Sequence, residues 1–174
     1  MSVSLRDAKP ANAECIAEVI LASRGAFLAF AASAHTDDEI RTWVRNVLLP
    51  SEEVTVAVAK RRIVGVIAIE RAEGASWLTQ LYLHPSYVAQ GIGSTLLAHT
   101  LATAPFPIRL YTFQQNAGAR RFYERNGFVP IQCTDGSANE ERCPDVPYEL
   151  TAPARARAVD AHSVRSVPLK GGKP

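Results

Sequence analysis

The chain has 174 residues, 47% of them hydrophobic, 21% charged and 7% aromatic, enough for one compact domain whose core needs no staples. Of its 19 basic and 17 acidic side chains, five (Arg155, Arg157, Arg165, Lys170, Lys173) and one (Asp160) fall in 151–174, leaving 14 and 16 before it. The formal net charge of +2 therefore sits in the tail, and the folded part lacks the basic face that a nucleic-acid binder needs, so no nucleic-acid partner is expected.

In chain order, Val3 to Leu5 alternates as a short first strand. From about Ala11 to Ala32 the residues are good helix formers, and Gly25 suggests an interruption into two short helices. Thr36 to Glu39 is a capping box, and behind it Ile40, Trp43, Val44, Val47 and Leu48 form one apolar helix face that Pro50 should stop. Val54 to Val58, a basic turn at Lys60-Arg61-Arg62, and Ile63 to Ile69 read as an antiparallel hairpin. Trp77 to Leu83 is a third strand, ending at His84-Pro85. A helix starts at Gly91, with Ile92, Leu96 and Thr100 on one side, and runs to Pro105. Ile108 to Tyr111 is a strand, and Asn116 to Asn126 a helix closed by Gly127. Phe128 to Cys133 and Pro147 to Leu150 are expected as final strands around a polar loop, Thr134 to Val146. The composition of 151–174 predicts a disordered or loosely attached basic tail behind a domain of residues 1–150. The architecture is thus α/β: a mixed sheet with helices on both faces.

Cys15, Cys133 and Cys143 have no metal-ligand spacing, nor do His84, His99 and His162, so no metal site is expected. Cys133 and Cys143 could meet across a hairpin, but reduced thiols fit a cytoplasmic protein better. There is no signal-peptide pattern and no apolar run near the roughly 20 residues that cross a bilayer, so a soluble cytoplasmic protein without a membrane partner is expected, as a monomer or homodimer.

Chemistry concentrates in two segments. Leu81 to Leu97 is a strand end, a loop and a helix start on Gly91 and Gly93. Unsatisfied N–H groups and the helix dipole make such a start an anion cradle. It is not the dinucleotide fingerprint, because Leu96 stands at the third glycine position, and no Gly-Lys-Ser/Thr of a P-loop follows. The second segment, Asn116 to Phe128, has an Asn cap and places Ala119, Phe122 and Tyr123 on one helix face. Phe122 and Phe128 read as core, whereas the Tyr123 phenol in a cleft can donate a proton.

Together the segments resemble the GNAT acetyltransferase superfamily. Leu83, Pro85, Gly91, Ile92 and Gly93 match its acyl-CoA motif; Asn116, Ala119, Phe122, Tyr123, Glu124, Gly127 and Phe128 match its later helix. The resemblance implies a mostly antiparallel sheet with a splayed parallel strand pair, and acetyl-CoA as acyl donor. It implies a pantetheine arm along Leu81, Tyr82 and Leu83, and a diphosphate on the N–H groups of Val88, Ala89, Gln90, Gly91, Ile92, Gly93 and Ser94. Asn116 would hold the cofactor's arm beside Ala119, Arg120 could reach its phosphates, and Tyr123 would protonate the departing thiolate. Val88 stands where the family has Arg or Gln, and Ala89 where it has Gly, which implies weaker cofactor binding. Trp77 to Leu83 lacks the acid that many relatives carry there, which leaves Glu70, Glu140, Glu141 and His35 as candidates for the general base.

The expected function is acetyl transfer to a primary amine of a small molecule or peptide by direct attack; the alternative is an acyl-CoA-binding sensor or scaffold without turnover. Early helices and the late loop build the acceptor site in this family. Here that loop carries Asp135, Glu140, Glu141 and Asp145 against Arg142, which points to a cationic acceptor.

Overall fold

The structure, a computed structural model, describes residues 2–72 and 74–152; the basic tail anticipated from 151 onward lies, from residue 153, outside the described residues. Seven strands form one sheet in the order β1-β2-β3-β4-β5-β7-β6. They span Val3–Asp7 (β1), Glu53–Ala59 (β2), Arg62–Ala72 (β3), Ala75–Leu83 (β4), Ile108–Phe113 (β5), Val129–Pro130 (β6) and Asp145–Leu150 (β7). Every neighbouring pair is antiparallel except β4 and β5. The turn between β2 and β3 places Lys60 and Arg61 at φ 48° and 64°, the two left-handed residues that let a two-residue hairpin follow the sheet's twist.

Helices cover both faces, and β3 is accordingly buried without alternation from Val64 to Ile69. On one face α1 (Ala13–Phe27), α2 (Asp37–Trp43) and the turn that follows α2 bury Ile16, Ile20, Ile40, Val44 and Leu48 against Val56 and Val66. On the other, α4 (Ile92–Leu101) and α5 (Ala117–Arg125) bury Leu96, Leu97 and Tyr123 against Ile67, Leu110 and Tyr148. No helix among the described residues is long and apolar enough to cross a membrane. Cys15 and Cys133 are exposed free thiols, and Cys143 is a buried one.

Three expectations need correction. Gly25 does not divide the first helical stretch: α1 runs through it unbroken, after a 3-10 turn at Pro10–Asn12. A single glycine costs a helix only about 1 kcal/mol, less than the burial of Ile16, Val19 and Ile20 returns. Nor does Pro50 stop the next helix outright. After α2 the chain widens into a π-turn, Val44–Leu48, and ends in a short α3, Leu49–Ser51, that contains the proline. That wider turn changes the hydrogen-bond spacing upstream of the ring, and it rotates Val47 out of the expected apolar face to 49% exposure. Finally, β6 is only Val129–Pro130, although the Ile131 and Thr134 N–H groups still donate to the Pro147 and Asp145 carbonyls of β7 (both 2.9 Å). The late loop is also pinned by side chains: Asn139 donates to Asp145 (2.9 Å) and to the Cys143 carbonyl (2.8 Å).

Candidate active site

The parallel pair is joined only at its start, where Ser76 and Trp77 pair with Ile108 and Arg109. Beyond that β4 stays with β3 and β5 with β7, so the two strands splay. Six residues of β4, Leu78 to Leu83, then face the gap without strand partners, an open edge of roughly 20 Å. Their backbone groups still need hydrogen bonds, which makes the gap a polar-walled slot between apolar helices. The gap holds a cleft of about 590 Å³ lined by Thr79, Tyr82, Asn116, Tyr123 and Glu141 among others. Two further cavities meet it.

The first, about 850 Å³, runs from β4 past the start of α4 to the inner face of α5. Leu81, Tyr82, Leu83, Val88, Ala89, Gly91, Gly93, Ser94, Asn116, Ala119 and Tyr123 line it. Gly91 caps α4 at φ 79° and offers no side chain to the helix start. The N–H groups of Ile92, Gly93 and Ser94 lie in the first turn, where no intrahelical carbonyl can accept them. A negatively charged ligand there meets three donors and the positive end of a ten-residue helix. Ala89 also adopts a left-handed conformation (φ 59°), holding with an alanine the geometry that a glycine would take without strain.

Three side chains of these segments do not enter the cavity. The Gln90 side chain turns back to the Ser86 carbonyl (3.0 Å) and ties the loop. Ile92 is core, 3% exposed, and offers the cavity only its backbone. Arg120 points away: its Nε donates to the Tyr148 hydroxyl (3.2 Å) and Nη1 to the Gln114 carbonyl (3.4 Å). The cation that α5 does bring to the cavity is Arg125, near its far end, with Val88 on the same wall. The sequence reading missed it because the helical spacing of Ala119, Phe122 and Tyr123 fixes a face but not its far end. Phe27 and Phe30, 44% and 40% exposed, complete the rim, and Phe30 stands edge-on to Phe113 across the cleft (6.0 Å).

Tyr123 sits where the cleft and this cavity join and lines both. Phe122 and Phe128 pack against it edge-on at 5.3 and 5.6 Å, leaving it 7% exposed. Burial, with a lesser contribution from Tyr82, pushes its phenol far above the ordinary range, so it stays protonated. Its hydroxyl has no hydrogen-bond partner among the described residues, which leaves a proton donor aimed into the cleft. Asn116 caps α5 through Oδ1, which accepts from the Ala119 N–H (3.1 Å), and its amide group remains available to a ligand.

The second cavity, about 410 Å³, lies between α1, α2 and the late loop and shares Arg24, Gln80, Tyr82 and Glu141 with the cleft. Three of the base candidates are here. His35 Nε2 lies 2.8 Å from Glu140, and Glu141 accepts from Arg24 at 3.1 Å. Glu39, on the same wall, is held well below its usual pKa by the Thr36 N–H and hydroxyl of the capping box. With Trp43 and Tyr82 as aromatic walls, the cavity carries Glu39, Glu140 and Glu141 against Arg24. Glu70, the fourth candidate, is exposed on β3 opposite Trp77 and lines none of these spaces.

Residues 50–130 match the family model of the acetyltransferase (GNAT) domain. Among solved structures, the chain is similar to PaiA N-acetyltransferase from Thermoplasma acidophilum in complex with coenzyme A. That pair has 25% identity and a TM-score of 0.72, over 87% of this chain and 100% of that one. The apo form of YjaB from Escherichia coli is similar at 23% identity and TM-score 0.68, over 87% and 100%. Ard1 from Thermoplasma volcanium shares the fold at 17% identity and TM-score 0.68, over 88% and 99%. No curated protein sequence matches.

Proposed function

Because this chain belongs to the GNAT acetyltransferase superfamily, we propose that it moves an acetyl group from acetyl-CoA to a primary amine in the cleft between β4 and β5. The observation that carries this reading is the placement of Tyr123, a protonated and unpartnered phenol at the junction of the cleft and the larger cavity. A binding module has no use for a proton donor there, so the reading favours turnover over a sensor.

The cavity fits the donor. Its volume suits a large ligand. The first turn of α4 suits a diphosphate, and the open edge of β4 suits the amides of a pantetheine arm. Arg125 offers a charge for phosphate where Val88 cannot. The thioester supplies the activated acyl carbon. The chain's own residues orient it, exclude water with Phe27 and Phe30, and hold the Tyr123 proton ready for the leaving sulfur. The acceptor enters from the other side, through the cavity between α1, α2 and the late loop. Its surplus of carboxylates, and the faces of Trp43 and Tyr82, favour an amine that carries positive charge.

Thermal unfolding with acetyl-CoA tests the donor site. At about 100 times the dissociation constant the ligand should add roughly 2.7 kcal/mol. That is a rise of several degrees, at about 2–4 °C per kcal/mol. Ser94→Glu, which sets a carboxylate against the α4 donors, should abolish the rise, and Arg125→Ala should reduce it. An unchanged melting temperature in the wild type would refute the assignment.

A further inference from the structure

On the reading above, the amine must shed a proton as it attacks, and β4 has no acid between Trp77 and Leu83. The fold brings one to it from two strands away. Glu52, one residue before β2, accepts a hydrogen bond from Thr79 Oγ1 on β4, 27 positions later in the chain. A bulge makes this possible. Ala68 pairs with Gln80 and Ile69 with Leu78, so Thr79 is the extra residue of β4. Bulges re-aim side chains in this way. Thr79 lines the same cleft as Tyr123.

We propose that Thr79 and Glu52 form a proton relay that serves as the base of the transfer. Thr79 is the group that meets the amine; Glu52 acts through it. In the step, the amine nitrogen forms a bond to the thioester carbonyl carbon and the carbon–sulfur bond breaks. Thr79 Oγ1 takes the proton that the nitrogen sheds and passes its own to the Glu52 carboxylate. Tyr123 gives its phenolic proton to the sulfur. One proton is gained at Glu52 and one lost at Tyr123, and exchange with solvent through the open cleft restores both.

The surroundings of Glu52 suit the task. Burial raises its pKa, nearby Glu70 on β3 raises it further, and the Thr79 hydrogen bond opposes both. Arg71, next along β3, is held by Glu53 through two bonds of 2.6 and 3.0 Å, and on the helical side Arg45 is turned to Glu14. Among the described residues, Glu52 is in no salt bridge.

The test is kcat against pH with acetyl-CoA and an accepted amine. Glu52→Gln and Thr79→Val should each lower kcat about 10²-fold and remove the acidic limb, while Thr79→Ser keeps most of the rate. The KM for acetyl-CoA should not move. Full kcat with an intact acidic limb in Glu52→Gln would overturn the relay. A second readout needs no turnover, and so separates failure of the relay from failure of the proposed function. By carboxyl ¹³C titration Glu52 should ionise above the ordinary glutamate value of 4.5 in the wild type, and higher still in Thr79→Val, which loses the opposing hydrogen bond. Ordinary ionisation, unaltered by Thr79→Val, would also overturn the relay.

Discussion

Arg24 Nη2 donates to Glu141 Oε1 over 3.1 Å, tying α1 to the late loop across 117 positions of sequence. Both side chains are only 19% exposed, and both stand where the acceptor cavity opens into the cleft. Burial works against the Arg24 charge, but Tyr82 and Glu141 outweigh it and raise its pKa. The pair is therefore both a strap on the late loop and part of the wall of the proposed acceptor site.

Glu141→Gln keeps the shape and leaves the Arg24 charge without its counterion. We expect a loss of about 1–2 kcal/mol in urea unfolding, a raised KM for a cationic acceptor and unchanged acetyl-CoA binding. Unchanged stability would show that the strap carries no weight.

Ala89 holds φ 59°, a left-handed geometry that disfavours any side chain with a Cβ. Ala89→Gly should relieve that strain at a smaller entropic cost, for a net gain of about 0.5–1 kcal/mol. Calorimetry checks it: a lower melting temperature in the variant would contradict the assigned geometry.

Glu39 closes the capping box of α2, and its pKa is lowered chiefly by the Thr36 N–H. A carboxylate depressed on folding contributes stability that is present above its unfolded pKa and is lost as pH falls through the lower folded value. Unfolding free energy should therefore decline as pH drops below the ordinary glutamate value of 4.5. Glu39→Gln should decline less over the same window. Parallel curves for the two proteins would argue against the cap.

Tyr148, with no exposed surface, donates to Glu124 (2.7 Å) and accepts from Arg120 (3.2 Å), which sets α5 on β7. Tyr148→Phe should cost about 1–2 kcal/mol, since Glu124 and Arg120 lose a buried partner. Because α5 carries Tyr123, the variant should also lower kcat without raising the KM for acetyl-CoA. A stable variant with full kcat would show that this network does not position the helix.

Much of this was legible in the sequence, because local rules decided it. The capping box at Thr36, the strand at Val54 to Val58, the Asn116 cap and the α4 glycines each act within a few residues, and each appears where the pattern put it. What stayed hidden depends on distance in the chain. Arg120 and Arg125 flank the Ala119-Phe122-Tyr123 face on opposite sides of a helical wheel; the Tyr148 hydroxyl on β7 takes Arg120. Glu52 lies 27 positions from Thr79, and its reach across β3 depends on a bulge that no periodicity signals. Gly25 and Pro50 misled for a related reason: helix propensity is a small term, and the buried faces of α1 and α2 outweighed it.

The most direct measurement is release of free thiol from acetyl-CoA in the presence of cationic, neutral and acidic amines, with wild type and Tyr123→Phe side by side. The account expects amine-dependent release that is fastest for cationic acceptors. Tyr123→Phe should lower it about 10²-fold while binding acetyl-CoA as tightly as the wild type. Since the phenol stays protonated through its ordinary pKa of 10.0, the wild type should show no alkaline loss of rate from this residue. Equal rates in the two proteins, or no amine-dependent thiol release despite tight acetyl-CoA binding, would contradict it.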